Sequence, residues 1–441
     1  MLRKKLNRIF LLLVSLLLGT AGFAQENYDL SSFINRVLEE NYNVRIQRNL
    51  EKIAQNNDRL GNAGFLPTVD AEFSTSKSFN NTNQELSTGT INKGNNAVSN
   101  NLNAYAIVNW MVFDGFKMFA KKQQLDLLAQ LSTVDTKYFL EQTINDVAFA
   151  YYQLLANKEL IENFRNTLKI SRFRYKLEKK KLEVGASNAL SYNQALVDYN
   201  IDSLAVLNYE STIRSLEIQL SQYANLDPEL PLVFAPDTIV ATSHFVLDSV
   251  ITEAMEANRE LERSMLEELI TEKNIKIQQA DYYPEVNLYG QYSYSKSSNE
   301  VGFLKQNTIY GPQIGLMVRF NLFNGGNDRR EVVNDRYNAE NATFHRENTQ
   351  TLIRASVLDK FNQYQSLKQR LDLAVENAKA AQRSLEIASA QFQQGVINGY
   401  DFRQTQLTLI LSENRVIQLE LDLKMMEIEL NRLRGRLLEI L

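Results

Sequence analysis

Residues 371–392 read LDLAVENAKAAQRSLEIASAQF. Their apolar positions Leu371, Ala374, Ala378, Ala381, Leu385, Ala388 and Phe392 recur at alternating steps of three and four. A seven-residue repeat of this kind makes a coiled-coil seam, and the alanines allow neighbouring helices to approach closely. An equivalent unbroken run lies between 116 and 184, with Leu140, Ile144, Val147, Tyr151 and Leu154 on its seam. The chain has only six prolines, and none falls within 68–227 or 313–441, as very long helices require. At 1.5 Å per residue each long run would extend roughly 100 Å. Shorter helical patterns occupy about 29–64, 188–225, 245–281 and 400–440.

Working outward from the long runs, the chain repeats itself. Gly64-Phe-Leu-Pro67-Thr-Val-Asp70 is echoed by Asp281-Tyr-Tyr-Pro284-Glu-Val-Asn287, and Leu38-Glu-Glu-Asn41 by Met255-Glu-Ala-Asn258. Downstream, Val112-Phe-Asp-Gly115 matches Leu322-Phe-Asn-Gly325, and Gly185 matches Gly395. The spacing shortens between the two groups of matches, which a longer loop in the Asn/Ser/Thr/Gly-rich stretch 79–100 of the first unit accounts for. The resulting organisation is a signal peptide over 1–24, a first repeat over 25–225, a linker over 226–244 and a second repeat over 245–441. The signal peptide rests on basic Arg3, Lys4, Lys5 and Arg8, the apolar run Ile9–Leu18, and Gly22-Phe23-Ala24 as the cleavage site.

Between the prolines and the long runs the period switches to two. Val69, Ala71 and Phe73 oppose Asp70, Glu72, Ser74 and Ser76; Leu102, Ala104, Ala106, Val108, Trp110 and Val112 oppose Asn103, Tyr105 and Asn109. In the second unit Val286, Leu288, Tyr292 and Tyr294 oppose Glu285, Asn287, Gln291 and Ser293, and Ile314, Leu316, Val318, Phe320 and Leu322 oppose Gln313, Arg319 and Asn321. These predict four strands of roughly ten residues, apolar on one face and polar on the other, as in a transmembrane barrel. A soluble antiparallel sheet has the same alternation. Four strands cannot close a barrel around a passage, so the chain must oligomerise, and a closed ring removes the sheet edges.

Composition excludes much else. There are no cysteines, so disulfides, thiolate metal sites and cysteine nucleophiles are absent, and no lipid-anchor cysteine follows Ala24. Only His244 and His345 are present, too far apart for a metal site or a Ser-His catalytic arrangement. A net charge of −4 disfavours nucleic acid as a partner. No enzyme motif, catalytic residue, cofactor site or metal site is expected.

The proline turns at Pro67 and Pro284 resemble those of the TolC family of outer-membrane efflux and secretion channels. So do the strand-to-helix turns Trp110-Met-Val-Phe113-Asp114-Gly115 and Arg319-Phe-Asn-Leu-Phe323-Asn324-Gly325-Gly326, the Val184-Gly185 and Gln394-Gly395 turns, and the twofold order. One departure stands out: where family members often place proline after the asparagine of the first helix, this chain has Tyr42 and Arg259. The resemblance implies an α+β membrane protein, a homotrimer whose common outer-membrane barrel continues as a long periplasmic helical barrel. It also implies a passive channel serving a multipart efflux pump or a type I secretion system. Its partners would be a periplasmic adaptor protein, an inner-membrane transporter and outer-membrane lipid. The competing reading is a secreted or periplasmic coiled-coil adhesion protein.

The same resemblance assigns site residues. The tip turns Gly185, Ala186, Ser187 and Gly395, Val396, Ile397 would meet the adaptor. The family carries acidic residues six and nine positions after the second tip glycine, ringing a closed periplasmic aperture; here those positions are Asp401 and Gln404. Three such carboxylates would repel one another, so cations, water or neighbouring donors such as Arg403 and Gln404 would have to hold them together. The turn residues Phe113, Asp114, Gly115, Phe323, Asn324 and Gly325 are expected to form tight turns, with Asp or Asn capping the following helix.

Overall fold

The computed structural model describes residues 27–440. The expected signal peptide, 1–24, lies outside them. In chain order the elements begin with β1 (Asn27–Tyr28), α1 (Leu30–Glu40), α2 (Tyr42–Asn57), α3 (Leu60–Ala63), β2 (Thr68–Glu85) and β3 (Ile91–Asp114). The long α4 (Lys117–Glu183), α5 (Ala189–Tyr223) and β4 (Val233–Phe234) complete the first half. The second contains α6 (Leu247–Ala257), α7 (Arg259–Gln279), β5 (Glu285–Asn299), β6 (Gln306–Arg319), α8 (Asn327–Gln393), α9 (Gly399–Leu433) and α10 (Leu437–Ile440). Both long helices have 67 residues, and α5 and α9 have 35 each. Each pair is displaced by the same 210 positions at both ends. The fold expected from the sequence, four strands and long helices in a twofold repeat, is the fold observed.

Two compact units divide the chain. One comprises 48–136 and 259–351 and holds the sheet, whose strand order is β2-β3-β5-β6 with every neighbouring pair antiparallel. β2 and β6 are its edges. The register places Phe73, Ala104, Tyr294 and Tyr310 in one cross-strand row, and Val69, Val108, Gly290 and Ile314 in another on the same face. Glu72, Tyr105, Ser293 and Gly311 form a row on the opposite face. The apolar face is bare, with Ile314 81% exposed. The strands are longer than the ten residues expected, and the stretch 79–100, expected as a loop, is mostly strand: only 86–90 turns the chain. Asn, Ser and Thr are weak strand formers, but the continuing β2–β3 ladder satisfies their backbone groups, and neither face has to be apolar there.

The other unit comprises 27–47, 137–258 and 352–440. Its core gathers Phe33, Val37, Val147, Tyr151, Leu154, Leu220, Leu421, Ile428 and Leu437 from helices of both halves. Tyr28, Phe33, Tyr151 and Phe234 pack edge-on around the short parallel pair β1–β4. The first predicted short helix is interrupted after Glu40 and the third after Ala257. At each break an asparagine is the reason. Asn41 Oδ1 accepts from Asn43 N and Val44 N, opening α2, while its Nδ2 donates to the Tyr223 carbonyl at the end of α5. Asn258 Nδ2 donates to the Leu433 carbonyl at the end of α9. Tyr223 and Leu433 are repeat counterparts, so the same joint is built twice without the proline.

Candidate functional site

The two tip turns end the long helices by the same device. Gly185 (φ 71°) and Gly395 (φ 75°) adopt the left-handed conformation that stops a helix. Ala186 N then donates back to the Lys181 carbonyl and Val396 N to the Gln391 carbonyl. Asn188 caps α5 through Ser191 N, and Asn398 caps α9 through Tyr400 N and Asp401 N. Ala186, Gly185, Gly395 and Val396 are exposed, and Ser187 Oγ donates to Glu178 Oε2 over 2.6 Å. Apolar Val184, Leu190, Val396 and Tyr400 stand in solvent around these turns.

Asp401 and Gln404 are both exposed, in the first turns of α9. Arg403, expected beside Asp401 as a donor, turns the other way. Only 7% exposed, its guanidinium donates to both Asp202 oxygens (2.9 and 2.7 Å) and to Gln406 Oε1. Asp198 sits 3.6 Å from Arg403 Nε and accepts from Arg174 at 3.1 Å. Four charges from α4, α5 and α9 thus form a buried network that sequence reasoning missed. Asp198 and Asp202 are one helical turn apart on α5, so they share a face; that was the one available signal, and only packing supplies the arginines.

At the start of the first long helix, Asp114 Oδ2 accepts from Met118 N, and Gly115 and Phe116 both take positive φ. A Cβ on Gly115 would lie 2.3 Å from the Ala280 carbonyl oxygen, so glycine is required there for space as well as for conformation. Phe113, Phe116 and Phe119 pack with Phe65 and Tyr283, and Trp110 Nε1 donates to the Phe65 carbonyl, two residues before Pro67. In the second copy Asn324 Oδ1 accepts from Asn327 N, Gly325 and Gly326 take positive φ, and Phe323 is 84% exposed. Pro284 directly precedes β5.

Helical carboxylates divide by partner. Burial alone would raise Glu427, but hydrogen bonds from Lys424 and Ser243 outweigh it and hold its carboxyl below the usual range. That carboxylate accepts from Thr242 N and Ser243 N, fastening the linker to α9. Glu159 and Glu420 have no such donors: burial raises both, and the Glu159 charge raises Glu420 further. Among the described residues no cluster of three or more His, Asp or Glu could hold a metal ion, and no helix is long and apolar enough to cross a membrane.

The family model for outer membrane efflux proteins matches residues 33–226 and 250–436. No curated protein gives a significant sequence match. Among solved structures, the chain is similar to the CmeC outer membrane channel of Campylobacter jejuni at 13% identity and TM-score 0.78, covering 95% of this chain and 91% of that one. It is similar to the outer membrane protein VceC of Vibrio cholerae at 16% identity and TM-score 0.73, covering 92% and 96%. For the open-state MtrE outer membrane channel of Neisseria gonorrhoeae the values are 14%, 0.70, 92% and 89%. At these identities the structures speak for the fold; the family model speaks for descent and for a passive outer-membrane channel, which sets aside both an enzyme and an adhesion protein. Matched in both halves by that model, with strands and helices in the same order twice, the chain belongs to the outer membrane efflux protein family.

Proposed function

We propose that three copies of the chain close into one barrel and act as the outer-membrane duct of a multipart efflux pump or a type I secretion system. Substrates delivered by an inner-membrane transporter would pass through it without further chemistry. The observation that carries the reading is the sheet: one bare apolar face, one polar face, and two unpaired edges in β2 and β6. In water such a sheet exposes apolar rows and invites edge pairing. In a bilayer, joining β2 of one copy to β6 of the next satisfies both edges and turns the apolar rows to lipid. On this reading residues 1–24 are a signal peptide, 25–225 and 245–441 the repeats, and 226–244 the linker between them. Chain direction puts the turns at 86–90 and 300–305 outside the cell and the starts of α4 and α8 in the periplasm.

The tip residues Gly185, Ala186, Ser187, Gly395, Val396 and Ile397 would meet a periplasmic adaptor. The exposure of Gly185, Ala186, Gly395 and Val396, with Val184 and Tyr400 beside them, supports that role; Ser187 and Ile397 are half-buried. Asp401 and Gln404 would line the periplasmic aperture; Asp401 is exposed and, among the described residues, carries no ion pair, so it is free to face its symmetry copies. The deciding experiment is extraction and conductance. Membranes of expressing cells should release the chain only with detergent, as an oligomer that collapses on heating, and it should conduct ions in planar bilayers. A detergent-independent monomer without conductance refutes the duct. Within a conducting channel, Asp401→Asn should weaken block by multivalent cations; unchanged block removes Asp401 from the aperture.

A further inference from the structure

Charge on the sheet is segregated by face and by end. On the apolar face, from the row of Val286 and Val318 to the row of Ser298 and Gln306, the only charged side chains are Lys77 and Lys296. The carboxylates Asp70, Glu72 and Glu285 all alternate onto the other face, toward the helix-proximal end. The lysines occupy successive rows immediately beyond the tyrosine pair Tyr294–Tyr310: first Thr75, Leu102, Lys296 and Thr308, then Lys77, Asn100, Ser298 and Gln306. From Val318 to Tyr310 the apolar rows span about 26 Å along the strand, and about 20 Å across a bilayer at the usual tilt. Lysines at the next level therefore stand at the membrane boundary, on the side away from the helices.

Both lysines are exposed, and among the described residues neither is paired with a carboxylate. Lys77 Nζ lies 5.5 Å from the centroid of the Phe79 ring, which holds it along the outer wall. Two strand spacings and one row separate their Cα atoms by about 12 Å, so their flexible stems could bracket one multiply charged headgroup. A lysine on a lipid face costs most at the midplane and little near the boundary, where its ammonium can reach headgroups. Both stand among hydroxyl and amide neighbours, and the acid in the next row out, Glu300, is engaged by Val98 N, which suits an anionic partner held at the outer leaflet.

Resting on the barrel and orientation read above, we propose that Lys77 and Lys296 form a binding site for the phosphate groups of outer-leaflet glycolipid. Thr75, Thr308, Asn100 and Ser298 would supply hydrogen bonds to phosphate or sugar oxygens. The site would anchor the barrel at a fixed depth.

The test uses the full-length channel in neutral detergent. Retention of a diphosphorylated glucosamine-disaccharide lipid and of its dephosphorylated form is read by native mass spectrometry. Wild type should keep the phosphorylated lipid, and Lys77→Gln/Lys296→Gln should lose it on the order of tenfold. Lys77→Arg/Lys296→Arg should restore retention, and the dephosphorylated lipid should not distinguish the variants. Conductance of every variant in planar bilayers keeps the two readings apart. A glutamine variant that conducts and still retains the lipid overturns this site alone, whereas no conductance even from wild type overturns the duct on which it rests. Displacement of the lipid by inorganic phosphate at equal phosphate concentration also overturns it, because the site would then be a free-anion site.

Discussion

Helices α5 and α9 are repeat counterparts, each following a glycine turn and begun by an asparagine cap, yet far more of the apolar surface is covered on α9 than on α5. Along α9, Phe402, Ile410, Ile417, Leu419, Leu421, Leu423, Ile428, Leu430 and Leu433 are buried. On α5, Leu190, Val197, Ile201, Leu204 and Leu207 stand exposed, a stripe at coiled-coil spacing with nothing of the same chain upon it. The difference teaches that the repeat conserves its helix ends and not its faces. Ends are set by residues within a few positions, such as Gly185 and Asn188. Faces answer to what packs on them, and the two copies have become complementary: Arg403 of α9 reaches Asp202 of α5, while their counterparts Asn193 and Ser412 carry no charge. The proposed oligomer supplies a neighbouring copy to cover the α5 stripe.

The hardest way to break this complementarity is Asp202→Ala, which leaves Arg403 buried with Gln406 Oε1 and, as its only carboxylate, the more distant Asp198. It should cost about 3–5 kcal/mol, toward the lower end because Asp198 remains. Its repeat counterpart Ser412→Ala should stay within about 0.5 kcal/mol. Denaturant unfolding of the extracted protein, followed by helical circular dichroism, measures both; equal effects would mean the pair does not hold the helices together.

In the sheet the contrast lies between faces. Leu316→Arg, in the Leu288 row, should cost about 2–4 kcal/mol per copy near the bilayer midplane. Gln313→Arg, in the Gln291 row on the other face, should cost far less. Equal oligomer yield in detergent extracts would reverse the assignment of lipid and lumen.

A smaller difference separates the two helix starts. Gly115 and Gly325 share a left-handed backbone, so alanine strains either by about 1–2 kcal/mol. Only at Gly115 does the new methyl also meet the Ala280 carbonyl and the Tyr283 Cβ; nothing lies within 4 Å at Gly325. Gly115→Ala should therefore lower the thermal midpoint more than Gly325→Ala, and equal shifts would show that the first turn can open.

The smallest effect is a pH dependence. Glu420 is raised by burial and by Glu159, whereas its counterpart Glu210 is exposed and pairs with Arg165 at 3.1 Å. A carboxyl raised in the folded state binds its proton more tightly there than in the unfolded chain. Its penalty is thus absent below the ordinary glutamate value and grows as pH rises through the raised one. Glu420→Gln should raise the thermal midpoint near about pH 7.5 and leave it unchanged near about pH 4. Glu210→Gln should show no such pH-dependent gain. A pH-independent effect of Glu420→Gln would remove the like-charge contact.

These contrasts also mark what the sequence could disclose. Gly185, Gly395, Asp114 and the proline turns act through their own backbone or over a few residues, so the long helices were legible to within about a residue at each end. The breaks at Asn41 and Asn258 were not, because apolar periodicity runs straight through them and only the Tyr223 and Leu433 carbonyls explain their position. Strand faces could be read from alternation; strand lengths could not, since Asn80–Glu85 and Ile91–Ala97 have the composition of a loop and become strand by pairing with each other. Arg403 was misplaced for a related reason: charge suggests solvent, and its carboxylate partners lie some two hundred positions away.

That same polar hairpin has a bearing on how the surface of the channel can change. Beyond Val98, which still bonds Glu300, β3 pairs only with β2, and no row of the membrane-facing sheet depends on the turn at Leu86–Thr90. Its cross-strand bonds close on themselves, so residues 81–95 can be lengthened, shortened or exchanged at little thermodynamic cost. On the proposed orientation, this is the part of the molecule that antibodies and phages would reach first from outside a cell. The architecture leaves it free to drift under their pressure while the wall beneath keeps its register. A short foreign peptide grafted between Ser87 and Gly89 would be displayed there, turning the channel into a carrier of epitopes.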